Sequence, residues 1–433
     1  MSVNVDGGSN MTASVELPMP DDNASDLLQL STFNVATTMR SLTELTRAAG
    51  SAWAGAARGA TPGGMLTRGL QWWTAMCDRR PPRWQLANEV VIRTPFATLR
   101  DFTEPADTDR DVIPTLVLPP QAGHSSMVVD FSPTQSQLAV IRAAGLVRLY
   151  ALEWLGATAA TTDVTITDYL ELIDRAVRLM GGRANLIGDC QGGWLAAIYA
   201  ALHPERVHTL TLAGAPIDFH AGKSVIAAST RALTTSFGLA PYRALVAAGG
   251  GNMPGCAVLG NFIAIQPQSE ISRQLQLLEH LDDAAHVERY HAFEDWFKHT
   301  QDIPGAFYLW LVEHLFWGNE LITGRLLVAG RPAQLGAIRC PLYLLAGSRD
   351  HITPAAQVFA ARDAVGTPPA DISCRLADAG HLGLFMGRDA LRTDWPPLLA
   401  AVYARSAPGS ARPVRRRWSP VADPTGTPRV PAP

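Results

Sequence analysis

Apolar and polar positions follow two rhythms along this chain. Short apolar runs bounded by turn residues recur at 115–120 (TLVLPP), 127–131 (MVVDF), 146–154 (LVRLYALEW), 184–189 (ANLIGD), 208–216 (HTLTLAGAP), 341–347 (PLYLLAG) and 372–378 (ISCRLAD). Runs of this length and composition predict buried strands. Between several of them, apolar residues fall three and four apart, as in TITDYLELIDRAVRLM and GWLAAIYAALH, which predicts helices with one apolar face. Strands interleaved with such helices predict an α/β fold, with a mostly parallel central sheet and helices on both faces.

Outside that rhythm the pattern divides the chain further. Residues 1–25 are polar and rich in Gly, Asn, Ser and Asp, a composition that predicts disorder. Helical spacing over 26–60 makes 26–100 a helical N-terminal region, followed by the first part of the core at 101–219. The stretch 220–335 breaks the alternation with GGGNMPGC and the aromatic FYLWLVEHLFW, and reads as a cap or lid inserted after a central strand. The core resumes at 336–407, and the Pro- and Arg-rich segment 408–433 predicts a disordered tail, with Arg415, Arg416 and Arg417 a solvated run. Trp72, Trp73, Trp84 and Trp154 are expected to pack or to cover surface rather than to form a ligand box.

A net charge of −3 argues against a nucleic-acid binder. The five cysteines are scattered without a C-x-x-C pair, so neither a metal site nor a disulfide framework is expected. No apolar stretch reaches the roughly 18 residues of a transmembrane helix. The first residues lack the basic and apolar regions of a secretory signal, and a cytoplasmic location is the expectation.

The sharpest turn signal is Gly188-Asp189-Cys190-Gln191-Gly192-Gly193, between an apolar strand and a helical run. A strand–turn–helix with small residues around one nucleophile is the nucleophile-elbow pattern. Cys190 then stands at a helix N-terminus, where unpaired N–H groups favour the thiolate. The N–H of Gln191 becomes the first oxyanion donor. In elbow enzymes an acid and then a histidine follow the nucleophile. Asp350 lies just past the strand PLYLLAG, and His381 just past ISCRLAD. Asp218, after the strand that follows the elbow, is the reserve acid, and Asp189 is a further carboxyl inside the elbow. His351 adjoins the acid and is a candidate for the wall of the site. Surface roles are expected for His203 and His208, and packing roles for Cys77, Cys256, Cys340 and Cys374.

With these motifs in view the sequence resembles the polyhydroxyalkanoate synthases, polyester polymerases of the α/β-hydrolase superfamily. GDCQGG is similar to their lipase-like box with cysteine in place of serine. PTLVLPP with MVVDFSPTQS, LEW with TITDYLELI, ALHPERVHTLTLAGAPIDF, SRDHITP and AGHLGLFMGR are similar to further segments, over about 113–220 and 340–390. The chain departs from them after Pro119-Pro120, where Gln121-Ala122-Gly123-His124 stand.

The resemblance implies an α/β-hydrolase fold with Cys190 as acyl acceptor, His381 as its base and Asp350 as the acid partner. The loop beginning at Gln121 supplies the second oxyanion N–H. It implies polymerisation of 3-hydroxyacyl-CoA into polyhydroxyalkanoate through a Cys thioester, with coenzyme A as part of the substrate and no resident cofactor. It also implies the partners: the growing polyester chain, a granule surface, and a second copy or companion subunit. Two alternatives share the fold. A depolymerase or acyl-CoA thioesterase would use the same triad with water as acceptor, and a granule-associated subunit would carry no chemistry.

Overall fold

The chain is described here by a computed structural model covering residues 62–265 and 267–407. The segments 1–25, 26–60 and 408–433, including Arg415–Arg417, lie outside the described residues.

One sheet organises those residues. Its strands are β1 (Glu89–Arg93), β2 (Ala97–Asp101), β3 (Thr115–Leu118), β4 (Leu149–Trp154), β5 (Ala184–Asp189), β6 (Val207–Ala213), β7 (Leu342–Gly347) and β8 (Ile372–Ala377). Their order across the sheet is β1-β2-β4-β3-β5-β6-β7-β8. From β4 to β8 every pairing is parallel, whereas β1–β2 and β2–β4 are antiparallel. This is the mostly parallel sheet that the alternating pattern predicts, and it agrees with the α/β-hydrolase fold that the resemblance implies.

The central strands are apolar on both faces, and period-two geometry shares their side chains between two cores. Leu116, Leu118, Leu186, Leu210, Leu212 and Leu344 face one way, towards helices α3 (Ile166–Leu179) and α4 (Gln191–Leu202). Val117, Ile187, Ala213 and Leu345 face the other way, towards α2 (Gln137–Ala143) and the C-terminal helix Trp395–Ser406. α3 begins where the sequence signals it. Thr165 caps the helix, its hydroxyl and backbone N–H both bonding the Asp168 carboxylate at 2.7 Å.

Two expectations are corrected. Residues 89–100, read as part of the helical N-terminal region 26–100, belong to the hairpin β1–β2, which ends at Asp101. EVVIR and ATLRD carry the β-branched residues that favour strands, and Thr94 closes the turn by bonding Ala97 through both its backbone N–H and its hydroxyl. Helix in this region is described only over α1 (Pro62–Cys77). The run at 127–131 is not a strand of the central sheet. Ser126–Val129 forms one tight turn capped by Ser125, and Asp130–Ser132 pairs only with Gln135–Ser136. The cause is Asp130, whose buried carboxylate accepts the backbone N–H groups of Gln85 at 2.6 Å and Leu86 at 2.9 Å and so turns the chain away from the sheet.

Between β6 and β7 the chain forms α5 (Val225–Phe237), α6 (Ala240–Ala248), α7 (Gly255–Ile265), α8 (Pro267–Glu279), α9 (Ala284–Phe297) and α10 (Gly305–Trp310), the last continuing with wider, π-type winding through Leu311–Trp317. A charged cluster ties α8, α9 and the segment after α1 together. Glu294 of α9 is fully buried; its carboxylate lies 3.0 Å from Arg273 of α8, 2.6 Å from Lys298 and 3.6 Å from Arg79. Glu270 of α8 adds a second carboxylate, 2.6 Å from Lys298 and in contact with Arg273. The guanidinium of Arg273 also lies over the rings of Phe293 and Phe297. Removing the buried anion strands its cations. Glu294→Ala is expected to cost on the order of 3 kcal/mol of stability, and the half-exposed Lys298→Ala clearly less, as read by thermal unfolding.

Candidate active site

The site is built where β5 turns into α4. Cys190 occupies a left-handed, sparsely populated backbone conformation, with φ 50° and ψ −115°. Such geometry costs about 1–3 kcal/mol and persists only where its surroundings enforce it. Here the Cys190 N–H donates to the Ala213 carbonyl of β6 at 2.8 Å, and the Gly193 N–H donates back to the Cys190 carbonyl at 3.0 Å. The first turn of α4 presses against the sheet. A Cβ on Gly192 would sit 1.8 Å from the Leu118 carbonyl oxygen at the end of β3, and one on Gly188 would sit 2.4 Å from the Cα of Gly193. Only glycine fits at either place. As the first residue of α4, Gln191 has an N–H with no acceptor a turn earlier, beside the Cys190 side chain.

Asp350 and His381, the expected acid and base, arrive from the loops after β7 and β8. The Nδ1–H of His381 donates to Asp350 Oδ2 at 2.7 Å, and both side chains are almost fully buried. The other oxygen of Asp350 accepts the backbone N–H groups of Ile352 at 2.9 Å and Thr353 at 2.8 Å. Burial alone would lower the imidazole pKa. The Asp350 carboxylate and a hydrogen bond with the Cys190 side chain outweigh it and hold the pKa well above the ordinary histidine range. The structure therefore pairs His381 with Asp350 and places His381 in the same cavity wall as Cys190.

The other candidates separate from this group. The carboxylate of Asp218 accepts from the His220 N–H at 3.0 Å and from Asn319 at 2.8 Å, which ties the loop after β6 to the end of the π-wound segment. His203 and His208 lie at the opposite, N-terminal edge of the parallel strands. His351 is exposed and lines the cavity at Cys190. Cys77, Cys256 and Cys374 are exposed, and burial pushes the half-buried Cys340 thiol up to about 11. Among the described residues no cluster of three or more His, Cys, Asp or Glu could hold a metal ion, and no helix is long and apolar enough to cross a membrane.

Gln121 is fully buried, and its side chain is fixed at both ends. Its carbonyl oxygen accepts from the Tyr169 hydroxyl, and its amide donates to the Leu155 carbonyl at 3.4 Å. Tyr169 belongs to the Thr-x-x-Asp-Tyr start of α3 and stacks on Phe307 at 4.0 Å. Gln121, Gln191 and Cys190 share one cavity wall.

Two groups escaped the sequence reading. His124 is buried between the rings of Trp296 and Phe297, 5.0 and 5.2 Å away, and burial lowers its pKa. Asp189 was noted only as a spare acid. Its side chain is fully buried beside the nucleophile and accepts one hydrogen bond, from Gln137 at 3.1 Å, while its second oxygen has no partner. Burial pushes its pKa up to about 7, against the opposing pull of Gln137 and the His381 charge. The sequence did carry a signal, since an acidic residue directly before an elbow nucleophile is bound for the end of a buried strand.

Residues 88–401 match the family described as "Protein of unknown function (DUF3141)". The chain belongs to that family. This DUF3141 protein is also similar to the poly(3-hydroxyalkanoate) polymerase subunits PhaC of Haloferax mediterranei and Allochromatium vinosum. It is 25% identical to the first over 337 residues, an alignment that covers 75% of this chain and 65% of that subunit. It is 24% identical to the second over 257 residues, covering 58% of this chain and 70% of that one. Against a solved hydrolase from Pseudomonas aeruginosa PA01 it is 19% identical, with a TM-score of 0.44 over 73% of this chain and 97% of the other. The resemblance read from the motifs thus extends well beyond the elbow.

Two measurements test the geometry. Iodoacetamide at neutral pH is expected to alkylate Cys190 of the DUF3141 protein at least tenfold faster than Cys374 or Cys340 in peptide mapping, and His381→Ala to remove that advantage. The raised pKa of Asp189 means the folded state holds a proton that the unfolded chain releases from about pH 4 upward, so this group's contribution falls as pH rises from about 4 to about 7. A shift of that size corresponds to at most about 4 kcal/mol. Asp189→Asn is therefore expected to lose less melting temperature than the parent between pH 5 and pH 8, and an identical pH slope would refute the assignment.

Proposed function

We propose that this protein is an acyltransferase that polymerises 3-hydroxyacyl-CoA into polyhydroxyalkanoate through a thioester on Cys190. What supports the reading is the His381–Asp350 pair in the cavity wall beside Cys190 at the elbow, on a chain similar to polymerase subunits over most of its length.

The residues divide the work as follows. The Cys190 thiolate attacks the carbonyl carbon of the acyl-CoA; a carbon–sulfur bond to Cys190 forms and the one to CoA breaks. His381, protonated in the resting pair, gives its proton to the departing CoA thiolate. The charge that develops on the carbonyl oxygen faces the N–H groups of Gln191 and Gln121. In the second half a 3-hydroxyl group gives its proton to His381 and attacks the acyl-enzyme, forming an oxygen ester and releasing Cys190 as thiolate. Asp350 holds the ring in the tautomer that presents Nε2 to the sulfur and stabilises the imidazolium.

Cysteine suits such a transfer. Exchange of one thioester for another costs little, so the acyl group stays activated until the alcohol arrives, whereas serine would release that energy at the first step. The aromatic wall of Phe293, Trp296 and Phe297 beside Cys190 limits water, which would divert the intermediate to hydrolysis.

The test is turnover of 3-hydroxyacyl-CoA by the full chain, with CoA release and insoluble product followed together. Free CoA with insoluble polyester is the expected result; free CoA with only soluble hydroxy acid would make the protein a hydrolase. Cys190→Ala is expected to abolish CoA release. Asp350→Asn is expected to keep acylation of Cys190 but to slow chain growth by about a hundredfold, and full polymer yield from that variant would remove Asp350 from the mechanism.

A further inference from the structure

Two chambers meet at Cys190, and their walls differ in charge. The chamber on the His381 side, about 520 Å³, includes Glu270, Arg273 and Arg349 in its wall. The chamber on the far side, about 490 Å³, has no Asp, Glu, Lys, Arg or His among its described lining residues. Its size falls in the range of roughly 300–1,000 Å³ typical of small-molecule sites.

The catalytic groups are divided between the chambers in the same sense. His381 stands in the wall of the charged one, while Gln121 and Gln191 stand in the wall of the uncharged one. A proton donor must face the leaving sulfur, and the N–H groups must face the carbonyl oxygen. A thioester bonded at Cys190 in that way directs its CoA portion to the charged chamber and its acyl portion to the uncharged one. Phosphate groups would be costly to bury where no cation meets them, whereas a hydrocarbon gains by leaving water.

The uncharged chamber also has an apolar section. Tyr242 and Val312, with Leu233 and Tyr308 packed against them, all line it. The methyl of a four-carbon hydroxyacyl group would leave most of its about 490 Å³ empty. Each further methylene buried there adds favourable transfer free energy.

We propose that the chamber walled by α5, α6 and α10 binds the side chain of a medium-chain 3-hydroxyacyl group, so that the protein takes units of about eight to twelve carbons in preference to four. The inference rests on the acyl-enzyme reading above and names the substrate class of that site.

A competition experiment decides it. The full chain is mixed with equal amounts of 3-hydroxybutyryl-CoA and 3-hydroxydecanoyl-CoA, and the adducts on Cys190 are resolved by intact-protein mass spectrometry at short times. The ten-carbon adduct is expected to form at least tenfold faster. Leu233→Trp, which fills space beside Tyr242 and Val312, is expected to slow the ten-carbon reaction at least tenfold and to change the four-carbon one less than twofold. Equal rates for the two esters in the parent protein would overturn the inference, as would a variant that slows both alike. Should the variant fail to fold, the competition in the parent protein decides alone. Adducts with both esters but no length preference would leave the acyl-enzyme reading standing; no adduct with either would overturn that reading and this inference with it.

Discussion

The contact between the first turn of α4 and the carbonyl at the end of β3 is what the site depends on. Because Gly192 has no side chain, the helix closes onto Leu118, and the chain can reach it from β5 only by passing through a left-handed residue. That residue is Cys190. The strain does not come from the sulfur's chemistry. It comes from packing a helix tightly on a sheet, and two backbone hydrogen bonds lock it in place. The result lifts the thiol out of the strand, points it at the loops after β7 and β8, and sets it against the unpaired N–H groups that open α4. The two antiparallel strands at the edge, the capping box of α3 and the alternating cores all serve to hold β3, β5 and β6 in register beneath that turn.

Two carboxyl groups lie close to Cys190, and they differ in the number of donors each one meets. Asp350 accepts three hydrogen bonds, one from His381 and two from backbone N–H groups. Asp189 accepts one, from Gln137, and the desolvation cost prevails. Its proton therefore leaves near neutrality. Burial is common to both groups; compensation is not, and burial pushes the less compensated Asp189 up to about 7.

Much of this was legible in the sequence. The runs at 115, 184, 208 and 341 became strands because continuous apolar stretches between turn residues have little alternative to a buried parallel sheet, whereas the run at 372, expected to be buried, became the edge strand β8 with Cys374 and Leu376 exposed. The acid and base could be placed in loops because each follows such a run directly. The hairpin at 89–101 was missed because short antiparallel strands at a sheet edge carry both polar and apolar residues and give a weaker pattern. The run at 127–131 misled because its side chains are apolar enough for a strand, while its path is set by Asp130 reaching the backbone of residues 85 and 86. The pairing of Gln137 with Asp189, the ion cluster at Glu294 and the stacking of His124 join positions far apart in the chain. No local periodicity reports such pairings. The two-chamber division at Cys190 is likewise a property of enclosed space.

The short segment after β3 has one further property. Its Gly123 carbonyl accepts the Gln301 N–H at 2.9 Å, His124 is bridged to Thr300 and held between Trp296 and Phe297, and the Ser125 carbonyl takes the Trp296 indole N–H at 2.9 Å. Three consecutive residues are thus riveted to the insertion, while Gln121, two positions upstream of Gly123, is clamped to the core by Tyr169. The one residue in between, Ala122, lines both cavities at Cys190, so the wall beside the sulfur is anchored on one side by the sheet and its helices and on the other by the inserted helices.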